Sequence, residues 1–122
     1  SAVLKITLRH KSVKMMISDA TSNLLVDKKV PLEHILNLAN QNQVDYIVGD
    51  FNTPYESAFF DLYKENFESF HSYNDGFTAT WPMGIPLLEI DHVWLSKKHK
   101  PIVLKKEYSN ASDHALLIAE YL

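Results

Sequence analysis

The amino-acid sequence predicts an α+β fold, with a mixed, mostly antiparallel β-sheet and helices on one face. Segments near both ends of the chain alternate apolar and polar residues with the period of two that is typical of half-buried strands. Two segments between them carry apolar residues at helical spacing instead. The resulting order, ββαβαβββ, predicts two helices packed on one face of a mixed sheet.

The first two strands are predicted to form a hairpin. Residues 3–9 alternate so that Leu4, Ile6 and Leu8 share one face, and residues 13–18 read as the second strand after a polar turn. Polar residues from 18 to 29 then predict a loop.

A helix and a short buried strand come next. Pro31 suits the first turn of a helix that is expected to end within residues 40–43. Its apolar face comprises Leu32, Ile35, Leu36 and Ala39. Residues 44–48 predict a buried strand that leads into 49–52 (Gly-Asp-Phe-Asn).

A second helix is predicted after a cap at Thr53 or Ser57. Its aromatic residues indicate packing in the core rather than a cofactor site; they are Phe59, Phe60, Tyr63 and Phe67. Residues 70–87, with two of the three glycines, predict a long surface loop, a feature that is often functional. The last three strands are predicted at 88–96, 102–108 and 114–121.

Composition restricts the classes of function. At 122 residues the chain is expected to be a single domain spanning 1–122, and 46% hydrophobic with 22% charged residues is ordinary globular composition. The net charge is -3 and Arg9 is the only arginine, so the broad basic surface of duplex-binding proteins is missing. A polyanionic substrate would therefore have to be held locally, with help from a cation.

Cysteine and hydropathy exclude further classes. The sequence has no cysteine, which rules out disulfides, thiolate metal sites and a cysteine nucleophile. No apolar run approaches the length of a membrane span, and the first residues lack the layout of a signal peptide. The chain as given is expected to be soluble, and its cellular compartment is not predicted.

The segment 49–52 is the most informative in the chain. Residues two apart on a strand point to the same side, so Asp50 and Asn52 can present a carboxylate and an amide to one site. The alternative is local: Asp50 closes the turn after the strand and Asn52 forms an Asx turn. The segment alone leaves both interpretations open.

Two more segments carry chemically useful side chains. Asp91 lies in an apolar strand and needs a partner to offset its desolvation, whereas His92 points the other way and is expected to be a structural or a surface histidine. Asp113 and His114 begin the last strand, where the alternative is a turn with Asp113 as a cap.

Together these residues describe metal-assisted hydrolysis of a phosphoester. If Asp91 orients one ring nitrogen of His114, the other nitrogen can act as general acid or base. Asp113 beside this histidine suits a divalent cation such as Mg²⁺. Asp50 and Asn52 could position the attacking water and hold the phosphoryl group.

Four segments in this order resemble the C-terminal half of the endonuclease/exonuclease/phosphatase superfamily, the DNase I-like proteins: 49–52, 80–82 (Thr-Trp-Pro), 90–93 (Ile-Asp-His-Val) and 112–114 (Ser-Asp-His). The resemblance covers essentially the whole chain. It implies one half of a four-layer α/β sandwich, with the site between two sheets. The Thr-Trp-Pro loop is most similar to bacterial members that are often attached to membrane-spanning segments.

The resemblance also implies roles for individual residues. Asp50 would activate the water, Asn52 would bind the scissile phosphate, and Asp91 would accept a hydrogen bond from His114. His114 would contact a phosphate oxygen or transfer a proton, and Mg²⁺ or Mn²⁺ would be held by Asp113 and Asp50. The implied substrate is a phosphoester in nucleic acid, in a phosphoinositide or in a small phosphodiester.

The sequence departs from the family in its first part. Family members are about twice as long, and nothing in residues 1–40 reproduces their first-strand Asn or metal-binding Glu. Where the family places Asn-x-His-Leu, residues 17–22 read Ile-Ser-Asp-Ala-Thr-Ser, in which Asp19 is either a substitute or a loop carboxylate. The chain is therefore expected to be inactive alone, and a degenerate domain that binds a ligand or a protein stays open as an alternative.

The missing half would leave one face of the sheet uncovered. We expect this face to be apolar, with candidates Leu4, Ile6, Leu8, Met15 or Met16, Val93, Leu95, Leu116 and Ile118. Exposing it to water costs about 25 cal/mol per Å². We therefore predict that it is covered by the N-terminal half or by a second copy in a homodimer with two-fold symmetry.

Overall fold

The computed structural model describes residues 1–9, 11–23, 25, 27–76, 78–82 and 88–122, apart from the side chain of Leu8. These residues form one α-helix and seven strands: β1 (Ala2–Leu8), β2 (Lys11–Asp19), α1 (Lys29–Asn42), β3 (Tyr46–Asp50), β4 (Phe67–Ser69), β5 (Asp91–Ser96), β6 (Pro101–Glu107) and β7 (Leu116–Tyr121). Two 3₁₀ helices lie at Ala58–Glu65 and Phe70–Tyr73.

Five strands form the main sheet in the order β1-β2-β3-β5-β4. Its β2–β3 pair is parallel and its other pairs are antiparallel. Strands β6 and β7 pair with each other in a separate antiparallel sheet. The predicted α+β fold with a mixed, mostly antiparallel sheet is confirmed.

The predicted N-terminal hairpin and helix are also confirmed. Strands β1 and β2 pair in register from Ala2–Ile17 to Leu8–Lys11. The apolar face of α1 is buried as expected. The helix ends at Asn42 and its C-cap is Gln43, whose φ of 51° is left-handed and whose N–H is directed at the carbonyls of Ala39 and Asn40.

The second predicted helix is a 3₁₀ helix rather than an α-helix. The hydroxyl of Ser57 accepts a hydrogen bond from the N–H of Phe59 at 3.3 Å, which makes Ser57 the cap. Residues three apart lie on one side of a 3₁₀ helix. Phe60 and Tyr63 are accordingly buried, whereas Phe59 is 40% exposed.

The predicted surface loop at 70–87 is wrong in its first part. This region is preceded by β4 and opens with the 3₁₀ helix Phe70–Tyr73, and Thr80 is fully buried. Residue 77 and residues 83–87 of this loop lie outside the described residues. The next strand begins at Asp91 rather than at 88, because Leu88 forms an isolated bridge with Trp81 instead.

The core has one part on each face of the main sheet. On one face, the sheet packs against α1 and the first 3₁₀ helix through Met16, Ile47 and Trp94. On the other face, Val93 and Leu95 pack against β6 and β7, whose contributions include Leu104, Leu117, Ala119 and Tyr121. The α-helix and the first 3₁₀ helix therefore lie on one face, as predicted, whereas the second 3₁₀ helix packs with the second sheet on the other face.

The predicted membership of the apolar face needs correction. Leu116 and Ile118 are 60% and 37% exposed on β7, because β6 and β7 form their own sheet and turn the alternate residues inward. Of the two methionines, Met16 is buried in the helix-side core. Leu4, paired with Met15 on the opposite face, is 44% exposed, so the β1–β2 part of this face is uncovered.

Within the described residues, no helix is long and apolar enough to cross a membrane.

Candidate active site

Two carboxylates meet where β3 ends and β5 begins. Asp50 is the last residue of β3, Asp91 is the first of β5, and the two are paired in the antiparallel register. Asp19, the last residue of β2, pairs with Asp50 from the other side. Asp19 is thus a strand residue beside Asp50, not the loop carboxylate of the predicted alternative.

Gly49 permits the close approach of β2 and β3 at the ends of these two strands. Its φ is 148°, and a Cβ atom at this position would lie 1.7 Å from the carbonyl oxygen of Ser18. Only glycine fits both the conformation and the space. The glycine of 49–52 therefore sets the backbone position of the neighbouring Asp50.

His114 lies between the two carboxylates. Its Nδ1 is 2.7 Å from Asp91 Oδ2, a hydrogen bond in which Nδ1–H donates, and its Nε2 is 3.8 Å from Asp50 Oδ2. Desolvation lowers the pKa of His114, but the hydrogen bond to Asp91 and the surrounding carboxylate charges outweigh it and raise the pKa. The geometry leaves Nε2, the nitrogen nearer Asp50, for contact with a ligand.

Asp50 itself is a perturbed carboxyl. Its pKa is raised chiefly by desolvation and also by the charge of Asp91, while a hydrogen bond from the backbone N–H of Asn52 acts in the opposite direction. A bound cation would stabilise the charged form of such a group.

Asn52 takes part in a turn and also faces the site. Its N–H donates to Asp50 Oδ1 at 2.8 Å, and its Nδ2 donates to the carbonyl of Ala20 at 2.7 Å. Its φ of 46° is left-handed. The turn and site interpretations of 49–52 are therefore compatible, because the same turn directs Asp50 and Asn52 into a cavity.

This cavity has a volume of about 840 Å³ and is open to solvent. It is lined by Asp19, Ala20, Thr21, Ser22, Asp50, Asn52, Trp81, Leu88, Ile90 and His114. Asp91 reaches the site through its hydrogen bond to His114.

Asp113 lies next to His114 on the exposed side of the site. Its side chain is 70% exposed, and its Oδ1 is 4.0 Å from His114 Nε2. The indole N–H of Trp81 donates to its other oxygen at 3.0 Å. Trp81 thus borders the site and connects its loop to the turn that carries Asp113.

Thr80 supports the site in a way that sequence reasoning missed. Its buried hydroxyl accepts the N–H groups of Ile90 and Asp91 at 3.1 and 3.2 Å. Its carbonyl accepts the N–H of Ala115 at 2.9 Å. Thr80 therefore joins the segment that carries Asp91 to the one that carries His114, and only its place in the Thr-Trp-Pro motif could have indicated this.

The donor set fits a divalent cation. Asp50, Asp91 and His114 offer ligand atoms that all lie within 4.8 Å of one another. Oxygen-rich sites of this kind suit Mg²⁺ or Mn²⁺. Asp113 is not one of these three residues, so the predicted metal-ligand pair of Asp50 and Asp113 stays a prediction.

Of the two predicted alternatives for His92, a structural or a surface histidine, the structural one is confirmed. His92 is 2% exposed, and its Nε2–H donates to the carbonyl of Thr53 at 2.7 Å. Burial lowers its pKa to about 4, so its ring is neutral at physiological pH.

Comparison with known proteins gives one family. A model described as the Endonuclease/Exonuclease/phosphatase family matches residues 19–114, a span that contains every predicted site residue. No curated protein matches the chain significantly.

Solved structures share the fold at low sequence identity. A functionally unknown conserved protein from Enterococcus faecalis is 16% identical with a TM-score of 0.76, over 95% of this chain and 52% of that one. A beta toxin from Staphylococcus aureus is 16% identical with a TM-score of 0.74, over 97% and 55%. A mannosyl-6-phosphatase from Bacteroides thetaiotaomicron is 15% identical with a TM-score of 0.57, over 91% and 50%.

The chain therefore spans about half the length of these proteins. Its fold corresponds to half of the DNase I-like sandwich, as the sequence predicted. By its family match and its fold, the chain belongs to the endonuclease/exonuclease/phosphatase family.

Proposed function

We propose that this chain is the C-terminal half of a divalent-metal-dependent phosphoester hydrolase that acts on phosphodiesters. The observation that carries the proposal is the arrangement of His114 between Asp91 and Asp50 at a solvent-open cavity. Family membership supports phosphoester chemistry, and one structural neighbour is named a phosphatase.

The proposed roles follow from the contacts. Asp91 fixes the ring of His114 by accepting from Nδ1–H, so Nε2 can contact a phosphate oxygen or donate a proton to it. The raised pKa of His114 favours the protonated ring, which suits contact with an anion. Asp50 orients the attacking water, and the amide of Asn52 helps to hold the phosphate.

Asp50 and Asp113 are the proposed ligands of Mg²⁺ or Mn²⁺. When bound, the metal ion would neutralise charge on the phosphoryl oxygens and polarise the ester. The side chains that line the described cavity include His114 but no lysine or arginine, so a bound cation would help to offset the charge of the phosphate.

The missing half is proposed to complete the site. The uncovered β1–β2 part of the sheet, including Leu4 and Ile17 at 44% and 42% exposure, is a surface for that half to cover. A second copy of this chain is the alternative occupant. We propose that the chain alone is inactive because residues 1–40 contain no counterpart of the family's metal-binding Glu.

A second candidate is a degenerate domain that binds a phosphorylated ligand or a partner protein without catalysis. The altered segment at 17–22, where the family places Asn-x-His-Leu, favours it. The two candidates make different predictions about metal binding and turnover.

The test combines titration with hydrolysis. Mg²⁺ is added to the ¹⁵N-labelled chain while the amide shifts are followed, and hydrolysis of bis(4-nitrophenyl) phosphate is assayed with and without the supplied first half. We expect saturable shifts near Asp50 and Asp113, and turnover only with both halves. Saturable binding without turnover in either preparation favours the degenerate domain. Neither Mg²⁺ binding nor turnover, with both halves present as well as with the chain alone, contradicts the enzyme.

A further inference from the structure

We infer that the phosphoester bound here carries an uncharged, apolar organic group that packs on Trp81 and Leu88. This inference rests on the proposed function and narrows its substrate class. It disfavours oligonucleotides and polyphosphates, whose flanking groups are charged.

The apolar wall is built by a backbone bridge. Trp81 N–H donates to the carbonyl of Leu88 at 3.0 Å, and Leu88 N–H donates back to the carbonyl of Trp81 at 3.0 Å. Thr80 N–H also donates to the Leu88 carbonyl at 2.8 Å. These bonds hold both side chains at one wall of the cavity that contains Asp50 and His114.

Leu88 is available to a ligand. It lines the cavity, yet it is 46% exposed, whereas the neighbouring Ile90 is 7% exposed. The indole of Trp81 lies with its ring centroid 6.3 Å from that of His114. An apolar group attached to a phosphate at His114 would thus meet Trp81 and Leu88, and covering them removes apolar surface from water.

The charge of the cavity argues against a second anionic group. Asp19 and Asp50 line it, and Asp113 lies beside His114. All twelve lysine and arginine residues belong to the described part of the chain, and none of them is among the residues that line the cavity. One phosphodiester charge can be offset by a bound cation, but a further phosphate or carboxylate would face these carboxylates with no lysine or arginine of this chain lining the cavity to offset its charge.

Three matched ligands test the inference: dimethyl phosphate, methyl phenyl phosphate and methyl 4-carboxyphenyl phosphate. The last two share the ring and differ by one negative charge. Binding to the chain in saturating Mg²⁺ is followed by NMR through the two indole N–H signals, since Trp94 is fully buried and only Trp81 borders the cavity. We expect methyl phenyl phosphate to bind about tenfold more tightly than dimethyl phosphate, a difference of ~1.4 kcal/mol. The added carboxylate should remove most of this gain.

A pair of variants locates the effect. Leu88→Ala should reduce the tenfold advantage of the phenyl ester over dimethyl phosphate to about threefold. Leu62→Ala is the matched control, because Leu62 is also 46% exposed but lies on the first 3₁₀ helix. It should leave all three affinities unchanged.

The outcomes separate this inference from the proposed function. If dimethyl phosphate binds only with Mg²⁺ and the phenyl ester binds no better, or if the carboxyphenyl ester binds best, the inference is wrong and the proposed function stands. If none of the three shows Mg²⁺-dependent binding, the proposed function fails and the inference fails with it.

Discussion

Two Asp–His pairs lie at opposite ends of β3, and they differ in what surrounds them. His114 lies 2.7 Å from Asp91, and His99 lies 2.7 Å from Asp45, which directly precedes β3. The side chain of each histidine is 27% exposed. Geometry of the pair alone therefore does not distinguish a site from a structural contact.

The surroundings make the distinction. The second oxygen of Asp45 accepts the N–H of Lys14 at 2.7 Å, and the ring of His99 packs edge-on against Tyr121 at 5.3 Å between centroids. These partners fix the Asp45–His99 pair in place. At the other end, His114 faces a second carboxylate, Asp50, and a cavity of about 840 Å³.

The carboxyls that flank β3 show the same contrast. Burial raises the pKa of Asp45, but hydrogen bonds from His99 and Lys14 outweigh it, and the net pKa is lowered. The pKa of Asp50 is raised, chiefly by desolvation. The charge of Asp45 is satisfied within the fold, whereas that of Asp50 would be stabilised by a cation.

The largest expected difference is in turnover. With the first half of the sandwich supplied, His114→Gln should lower kcat for a phosphodiester by about 10²–10⁴-fold, because it removes the proposed acid–base group. His99→Gln should change kcat by less than about twofold, because the Asp45–His99 pair lies at the other end of β3. Steady-state hydrolysis assays give kcat for both variants. Equal losses of kcat would mean that the Asp91–His114 and Asp45–His99 pairs do not differ in function.

The backbone at the site end is expected to be the most sensitive to substitution. Gly49→Ala should reduce the free energy of unfolding by about 4 kcal/mol, because the new Cβ would collide with the Ser18 carbonyl at a positive φ. Gly76→Ala also has a positive φ, 98°, but meets open space, so about 1 kcal/mol is expected. Urea denaturation gives the free energy of unfolding of both variants. Similar losses of this free energy would show that the fold does not depend on the close approach of Gly49 to Ser18.

His92, which belongs to neither pair, gives a pH-dependent contribution to stability. Its folded pKa of about 4 lies below the unfolded value of 6.5, so the folded state binds fewer protons between these values. Its contribution is fully present above pH 6.5 and is lost as pH falls toward 4, by about 3 kcal/mol in total. The difference in unfolding free energy between the wild-type chain and His92→Gln should shrink from pH 7.5 to pH 5; a constant difference would contradict the burial argument.

Thr80→Val tests the support of the site at nearly constant side-chain volume. The substitution leaves the N–H groups of Ile90 and Asp91 without their acceptor, so a loss of about 2 kcal/mol in the free energy of unfolding is expected. Thr53→Val is a suitable control, because the hydroxyl of Thr53 is buried too but donates to the carbonyl of Phe51. If Thr80→Val weakens Mg²⁺ binding and Thr53→Val does not, Thr80 positions the site. If both substitutions weaken Mg²⁺ binding equally, Thr80 contributes only to the stability of the fold.

The smallest effects should have opposite signs. Asp45→Asn removes a carboxylate with a lowered pKa, whose contribution exists above the unfolded pKa and is lost as pH falls, so it should destabilise the chain at pH 7 by about 1 kcal/mol. Asp50→Asn removes a desolvated carboxylate with a raised pKa and should stabilise the metal-free chain by up to about 1 kcal/mol. Thermal unfolding in EDTA shows whether each substitution stabilises or destabilises the chain. Destabilisation by both would contradict the proposed difference between Asp45 and Asp50.

Local patterns predicted much of the fold. Alternation located β1 and β2, and helical spacing located α1, because each signal depends on neighbouring residues. Alternation does not say which sheet a strand joins. For this reason Leu116 and Ile118 were expected on the uncovered face, although β7 pairs with β6 in a second sheet.

The site residues that lie in recognisable motifs could be predicted from the sequence, whereas contacts between residues outside such motifs could not. Asp50, Asp91 and His114 stand in recognisable segments, and the structure brings them together. The Asp45–His99 pair joins residues 54 positions apart with no motif, so only the three-dimensional fold reveals it. The two hydrogen bonds to the Thr80 hydroxyl likewise depend on tertiary contacts.

The most direct test of the contrast between the two ends of β3 is paramagnetic relaxation by Mn²⁺ in the ¹⁵N-labelled chain. Substoichiometric Mn²⁺ should broaden the amide signals of Asp50, Asp113 and His114, leave those of Asp45 and His99 sharp, and be displaced by excess Mg²⁺. Equal broadening at both ends, or none at either, would contradict the account.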